Sequence, residues 1–486
     1  MVFNSYLFIL AFLPITVIAY FLLNKINFLV GKIFLAVASA VFFAYGGLKS
    51  AAVFAISIIV NIILCLLIAR FEKHKKIILV IDIIFNVALL FVFKYFNFFL
   101  NDVLRSDFTL SNLIMPLGIS FFTFSQIMFS VNIYRGEIEK INILDYLVYI
   151  LYFPKILMGP LMEPKEFIAQ LNDNGLKKVN WTNIVNGLKI FSFGLFKKVI
   201  FADVFGRAVA YAFTWTADIS SLEWFLTMLF YTLEIYFDFS GYSDMAVGIS
   251  KMLNISLPIN FDSPYKAFSI RDFWKRWHVS LTTFLTRYIY IPLGGNQKGK
   301  VRTYINIMLV FLISGIWHGA NWTFIVWGLI HGIFCVFDRL ISQGNFDMSK
   351  ANRGLLVIHK IVRGFFTFVV VNFLWLLFRA DSISQWGWII GRMFSFNGAS
   401  ISSYMLDYFA LPETNLFTSL FNISPLSNLA GMIILTVIAL VICFIPKNNY
   451  RTQDKNNWPT MIFAALALLV SILCLSTESI FVYMYF

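Results

Sequence analysis

Charged side chains are scarce in this chain. Asp, Glu, Lys and Arg make up 13% of its 486 residues, while 59% are hydrophobic and 18% aromatic; an ordinary soluble domain carries about 25% charged residues. That balance excludes a water-soluble globular protein. Cysteine is scarce too. Cys65, Cys335, Cys443 and Cys474 each sit in an apolar block, with no CxxC spacing, which excludes a disulfide framework or a zinc site and leaves them as small core residues. No metal or tightly bound cofactor is expected. Internal repeats, low-complexity tracts and Gly/Ser/Pro-rich linkers are also missing, so residues 1–486 read as one membrane domain.

What the chain does have is long apolar blocks separated by charged breaks. A helix needs about 20 residues to cross the ~30 Å hydrocarbon layer. Blocks near Tyr6 to Leu23, Ile33 to Tyr45, Ala51 to Ala69, Ile77 to Phe93, Leu113 to Ile133, Ile143 to Met158, Ile184 to Phe201 and Leu222 to Phe237 fit that role. Tyr304 to Phe337, Leu356 to Phe378, Leu429 to Ile445 and Met461 to Leu475 follow. The expectation is an all-α polytopic membrane protein with about 11 or 12 crossings plus re-entrant and interfacial segments. The first block has no basic stretch before it and no small-residue cleavage site after it, and reads as a retained helix. The connector 70–76 is strongly basic, whereas 94–112 sets Lys94 and Arg105 against Asp102 and Asp107. The positive-inside rule then places 70–76 in the cytoplasm and the N-terminus outside.

Two stretches carry most of the chemical signal. Between Arg302 and Asp338 there is no charged residue, yet His318 and His331 lie within that window. As one helix it would be about 50 Å long, too long for the bilayer, and GIWHGAN near its middle is the expected break. Irregular backbone at membrane depth is tolerated only when buried in protein or lining a cavity, so His318 is expected at a cavity wall, with Gly315 and Gly319 leaving room and Asn321 supplying a polar partner. An ionisable side chain at that depth is a functional candidate by default. His331 lacks that setting and reads as structural.

The second stretch, DSPYKAFSIRDFWKRWHVSLTTFLTRYIYIPLGGNQKGKVR, holds eight basic residues from Lys266 to Arg302 against the single acid Asp272, a net +7 of the chain's +13. Phe273, Trp274, Trp277, His278, Leu281 and Leu285 recur at helical spacing, which predicts one amphipathic interfacial helix with His278 turned inward. Two readings of its charge stand side by side: an anchor on anionic lipid, or a dock for a phosphorylated thioester donor on Arg271, Lys275 and Arg276. Weaker signals are FDFSGYSDMAVG, with Asp238, Ser240 and Asp244 near the end of a span, read as a cation site, a polar helix end or, preferably, a network supporting a histidine. YFPKILMGPL reads as a re-entrant segment with Lys155 as its one charge. The terminal FVYMYF reads as an aromatic belt or as a way to return a Tyr hydroxyl to the cavity.

Taken together, YFPKILMGPLMEPKEFIAQL, FDFSGYSDMAVGISKML, NFDSPYKAFSIRDFWKRWHVSLTTFLTRYIYIPLGGN, RTYINIMLVFLISGIWHGANWTFIVWGLIHG and FLWLLFRADSIS resemble the membrane-bound O-acyltransferase family. The likeness runs over nearly the whole chain, in the branch of alginate and peptidoglycan O-acetyltransferase membrane subunits. The resemblance implies a helical bundle around a funnel with donor and acceptor reaching opposite sides, in a bacterial cytoplasmic membrane. His318 of WHG corresponds to the family's catalytic histidine, and His278 of RWH to its second motif histidine. Phe481, Tyr483 and Phe486 fit a C-terminal FxYxxF pattern whose tyrosine accepts the acyl group. Neutral imidazole suits a general base near pH 7, which assigns that part to His318, with Asn321 orienting substrate or donating to the oxyanion and Asp238 in support. Acetyl-CoA is the expected donor. With no esterase-like domain in the chain, an extracytoplasmic partner and a polysaccharide acceptor are expected. D-alanyl transfer to teichoic acid is the alternative within the family, and a proton-coupled transporter or flippase the alternative outside it.

Overall fold

A computed structural model describes residues 1–110, 115–343, 353–410, 427–446, 448–454, 456–475 and 481–482. Without water, backbone groups must bond to one another, which restricts lipid-exposed chain to helices and closed barrels. Here the answer is helices: among the described residues the only β-type pairing is an isolated antiparallel bridge between Phe261 and Trp277. Among the described residues six helices are long and apolar enough to cross a bilayer: Phe8–Ile26, Leu48–Arg70, Lys75–Val103, Gly299–His318, Trp322–Ile341 and Leu356–Arg379. Four shorter apolar helices, Phe28–Ala44, Ile119–Tyr134, Asn428–Phe444 and Trp458–Leu473, accompany them. The protein is therefore all-α and polytopic, as its composition requires.

The axis of the bundle is a helix with too many polar residues to resemble a span. Ser221–Met252 runs for 32 residues and is buried nearly all round. It starts on a capping box in which the Ser220 hydroxyl accepts from the Glu223 N–H and the Glu223 carboxylate accepts from the Ser220 N–H, so two otherwise orphaned donors are satisfied. The sequence placed Asp238, Ser240 and Asp244 near the end of a span, whereas they lie inside this helix. The two carboxylates are accommodated there because each finds partners on other segments, whereas the Ser240 hydroxyl has no hydrogen-bond partner among the described residues. Asp244 pairs with Lys197 at 2.7 Å and accepts from Asn449 at 3.1 Å.

Helix Trp181–Phe196 crosses this axis at glycine. A Cβ on Gly194 would lie 2.6 Å from the Gly241 carbonyl oxygen, and one on Gly241 would lie 2.7 Å from that of Gly194. Small residues let membrane helices approach to backbone contact, where packing replaces the missing hydrophobic drive.

Two other expectations change. Helix Lys75–Val103 runs ten residues beyond the expected end at Phe93 and carries Lys94 inside it through a π-helical turn, Phe91–Tyr95. The expected amphipathic helix over 270–285 is broken into Ile270–Arg276 and Val279–Leu285. Its apolar stripe, Phe273, Trp274, Trp277, His278, Leu281 and Leu285, is buried in protein rather than laid on a membrane surface. Backbone pairing explains the break: the Asp262 N–H donates to the Arg276 carbonyl at 2.9 Å and the Val279 N–H to the Asn260 carbonyl at 3.0 Å.

Replacing Gly194 with Val should overpack the helix crossing and cost about 1–3 kcal/mol. The expected outcome is a lowered unfolding temperature of the detergent-purified protein, and an unchanged temperature would show that the crossing relaxes freely.

Candidate active site

His318 is the last residue of helix Gly299–His318, and the chain turns extended at Gly319 before the next helix begins at Trp322. The break thus falls where the sequence placed it. Its glycines do a different job from the one expected. A Cβ on Gly315 would lie 2.5 Å from the Phe324 carbonyl oxygen, and the space beside Gly319 is taken by the Phe324 ring; they close the two helices on each other instead of opening room. Asn321 caps the second helix: its Oδ1 accepts from the Thr323 N–H at 3.0 Å and its Nδ2 donates to the Asp381 carbonyl at 2.8 Å. Its side chain is used in the turn, although the residue lines the neighbouring cavity.

The last carbonyls of a helix have no partner within it, and no local pattern indicates how these are met. Lys94 Nζ donates to the carbonyls of Trp317 at 2.6 Å and His318 at 3.1 Å, and to Ser120 Oγ at 3.3 Å. Beside it the Tyr95 hydroxyl donates to the Ile316 carbonyl at 2.8 Å. A cation here also meets the negative end of the helix dipole. In the sequence Lys94 is a lone Lys just after an apolar run and counts as part of the connector 94–112.

His278 joins the two short helices and holds a left-handed backbone, φ 45° and ψ 52°, uncommon for a residue with a Cβ. Asn260 keeps it there, its Oδ1 accepting from the Ser280 N–H at 3.3 Å and hydroxyl at 2.6 Å. Strain of this kind persists where surrounding structure over-determines it, commonly at functional sites. His278 is 1% exposed, and among the described residues neither ring nitrogen has a hydrogen-bond partner. It lies outside the six spans, and burial pushes its imidazole down to about 3, so the ring is a neutral base at physiological pH.

One indole brings the two histidines together. The Trp317 ring centroid is 6.1 Å from that of His278 and 4.9 Å from that of His318. Phe239 packs on His278 at 4.7 Å, and Trp327 and Phe378 on His318 at 5.1 and 5.3 Å. His331 stands behind this wall, its Nδ1 accepting from Trp274 Nε1 at 3.1 Å and its ring 4.7 Å from Trp327.

A cavity of about 1040 Å³ is lined by Lys94, Gly319, Asn321 and Phe378, which adjoin His318, and by Lys198, Asp238 and Val482; neither His318 nor His278 is among its lining residues, so the wall position expected of His318 is taken by the next residue, Gly319. Asp238 accepts from Lys198 at 2.7 Å, and Lys198 also pairs with Asp203 at 2.8 Å. The second Asp238 oxygen accepts from the Val482 N–H at 2.9 Å. Phe481 is fully buried, 4.4 Å from Lys198 Nζ and 5.0 Å from the Tyr242 ring. Asp238 and Lys198 thus hold the C-terminal segment against the cavity. Tyr483 lies outside the described residues.

The three basic residues considered for the donor lie together on the short helix Ile270–Arg276, two of them with acidic partners. Arg276 pairs with Asp272 at 2.9 Å, Arg271 with Asp338 at 3.6 Å, and Lys275 faces outward. Among the described residues no group of three His, Cys, Asp or Glu is placed to hold a metal.

The fold is that of an integral membrane protein with two buried imidazoles near a polar cavity. The description of the membrane-bound O-acyltransferase family matches residues 38–378. The chain is 35% identical to a peptidoglycan O-acetyltransferase of Helicobacter pylori, over all of this chain and 97% of that one. It is 34% identical to a probable alginate O-acetylase of Pseudomonas putida over 83% and 82%. A teichoic acid D-alanyltransferase of Streptococcus thermophilus is 28% identical over 54% and 67%. The chain belongs to the membrane-bound O-acyltransferase family and is an O-acyltransferase.

Lys94 holds the end of the helix that carries His318. If His318 takes part in the reaction, Lys94→Met should lower kcat by about 100-fold with little change in KM, the size expected of a misplaced catalytic group, while Lys94→Arg restores most of it. Equal kcat in wild type and Lys94→Met, with both proteins folded, would remove that role.

Proposed function

We propose that this protein takes an acetyl group from acetyl-CoA in the cytoplasm and passes it across a bacterial cytoplasmic membrane for O-acetylation of a cell-envelope or secreted polysaccharide. The observation that carries this reading is His318, 2% exposed, at the broken end of its helix beside the charged cavity. It is supported by relatives named for O-acetylation that match 83% or more of the chain; the D-alanyl alternative has support over little more than half of it. Membership of an acyltransferase family removes the case for a transporter.

In the proposed reaction a hydroxyl attacks the thioester carbonyl. His318 takes the hydroxyl proton as the new C–O bond forms, the C–S bond breaks, and the proton goes to the departing thiolate. His278, across Trp317, contributes a second neutral imidazole to the same wall. Tyr483 supplies the first accepting hydroxyl, a reading supported by Asp238 holding the backbone of its neighbour Val482 at the cavity. An esterase-like extracytoplasmic protein then moves the acetyl group to the polymer. The cytoplasmic placement of 70–76, and with it an outside N-terminus, rests on charge contrast: with Lys94 and Asp102 both inside helix Lys75–Val103, the connector beyond it holds Arg105 against Asp107 and is neutral, whereas 70–76 is basic.

His318→Ala, in correctly inserted protein, should reduce polymer acetylation by a factor on the order of 10²–10⁴; normal acetylation would end the general-base assignment. Tyr483→Phe should abolish the acetylated enzyme seen by mass spectrometry after incubation with labelled acetyl-CoA, and an adduct of undiminished intensity would exclude the tyrosine relay.

A further inference from the structure

The eight basic residues between Lys266 and Arg302 are not equivalent in the folded chain. Lys266 donates to the Pro446 carbonyl at 2.6 Å, and Arg271 and Arg276 pair with Asp338 and Asp272. Arg287 pairs with Glu137 at 2.5 Å and lies 3.5 Å from Glu163. Lys298, Lys300 and Arg302 are exposed and, among the described residues, have no acidic or carbonyl partner. The charge not used internally is therefore concentrated at the start of helix Gly299–His318, with Lys275 as the remaining exposed cation.

Directly below this cluster the same helix and Trp322–Gln343 enclose an apolar trough of about 440 Å³. Ile305, Leu309 and Leu312 line one side, and Ile333, Phe337 and Leu340 the other. Arg302 precedes Ile305 by three residues and Leu309 by seven, so its side chain leaves the helix on the face that forms the trough. Tyr304 sits at the basic end of the trough, its hydroxyl buried and, among the described residues, without a hydrogen-bond partner. No Asp or Glu occurs from Lys298 to Leu312. Asp338 on the facing helix is already shared between Arg271 and Arg363.

We propose that this trough and its basic rim are a binding site for an anionic phospholipid, with an acyl chain between the two helices and the headgroup phosphate on Lys298, Lys300 and Arg302. An apolar slot facing hydrocarbon and ending in three unpaired cations fits an amphiphile with a negative head. Basic clusters at the membrane surface attract anionic lipid, and basic pockets between transmembrane helices hold such headgroups. A coenzyme, which is polar along most of its length, would leave the trough empty.

Binding is read by native mass spectrometry of protein taken from phosphatidylcholine nanodiscs containing phosphatidylglycerol. Wild type should retain phosphatidylglycerol preferentially, and K298Q/K300Q/R302Q should weaken that binding by about 100-fold, roughly fivefold for each charge. Leu312→Trp, which fills the trough and keeps the cations, should also displace the lipid. Since the triple variant touches no buried contact, it keeps the result readable if the Trp variant folds poorly. Equal retention of phosphatidylcholine and phosphatidylglycerol by wild type, or undiminished phosphatidylglycerol on the triple variant, overturns the site. A raised KM for acetyl-CoA in the triple variant with lipid retention unchanged also overturns it, assigning the cluster to a soluble phosphate donor.

Discussion

A helix that stops within a bundle leaves carbonyl oxygens with no partner inside the helix, and the end of Gly299–His318 is such a terminus. Lys94 and Tyr95 meet those carbonyls, and the position of His318 depends on it. The π-helical turn at Phe91–Tyr95 is part of the same device. An extra residue in the turn changes which side chains face the bundle, and both polar groups arrive together at the terminus of another helix. Burying a lysine for this purpose is costly, but a set of orphaned carbonyls at the same depth would be costly as well.

Another lysine lining the cavity follows similar logic with a different outcome. Lys198 sits between Asp238 and Asp203, so its charge is matched by carboxylates instead of by peptide dipoles. Because Asp238 has two oxygens, it can hold Lys198 with one and the Val482 N–H with the other. The residue thereby links the central helix to the end of the chain. The cavity between Lys94 and Lys198 is polar at both ends for separate reasons: one end completes a helix and the other secures the C-terminal segment.

The helical fold, the break after His318 and the inward placement of His278 were legible in the sequence because each follows from local quantities. An apolar run has a length, an uncharged window has too many residues for the bilayer, and an aromatic stripe has a period. The break within 270–285 is not legible in the sequence because the same stripe fits a single amphipathic helix and two short helices buried in a core. Only the pairing of Asn260 to Asp262 with residues 276–279 distinguishes them, and that pairing joins segments separated along the chain. Gly315 was misread for a related reason, since glycine beside a functional residue marks open space or close approach equally well.

By itself the sequence determined that this chain lives in a membrane, that its backbone is helical, and that His318 and His278 are its polar exceptions in apolar surroundings. Tertiary structure alone decided that one indole, Trp317, separates the two imidazoles, that Asn321 is used as a cap, and that Lys94, 224 residues before His318, completes its helix. The difference is physical. Transfer of side chains from water to hydrocarbon is close to a sum over residues in a segment, whereas satisfying a buried polar group requires a particular partner at hydrogen-bond distance, wherever in the chain that partner lies.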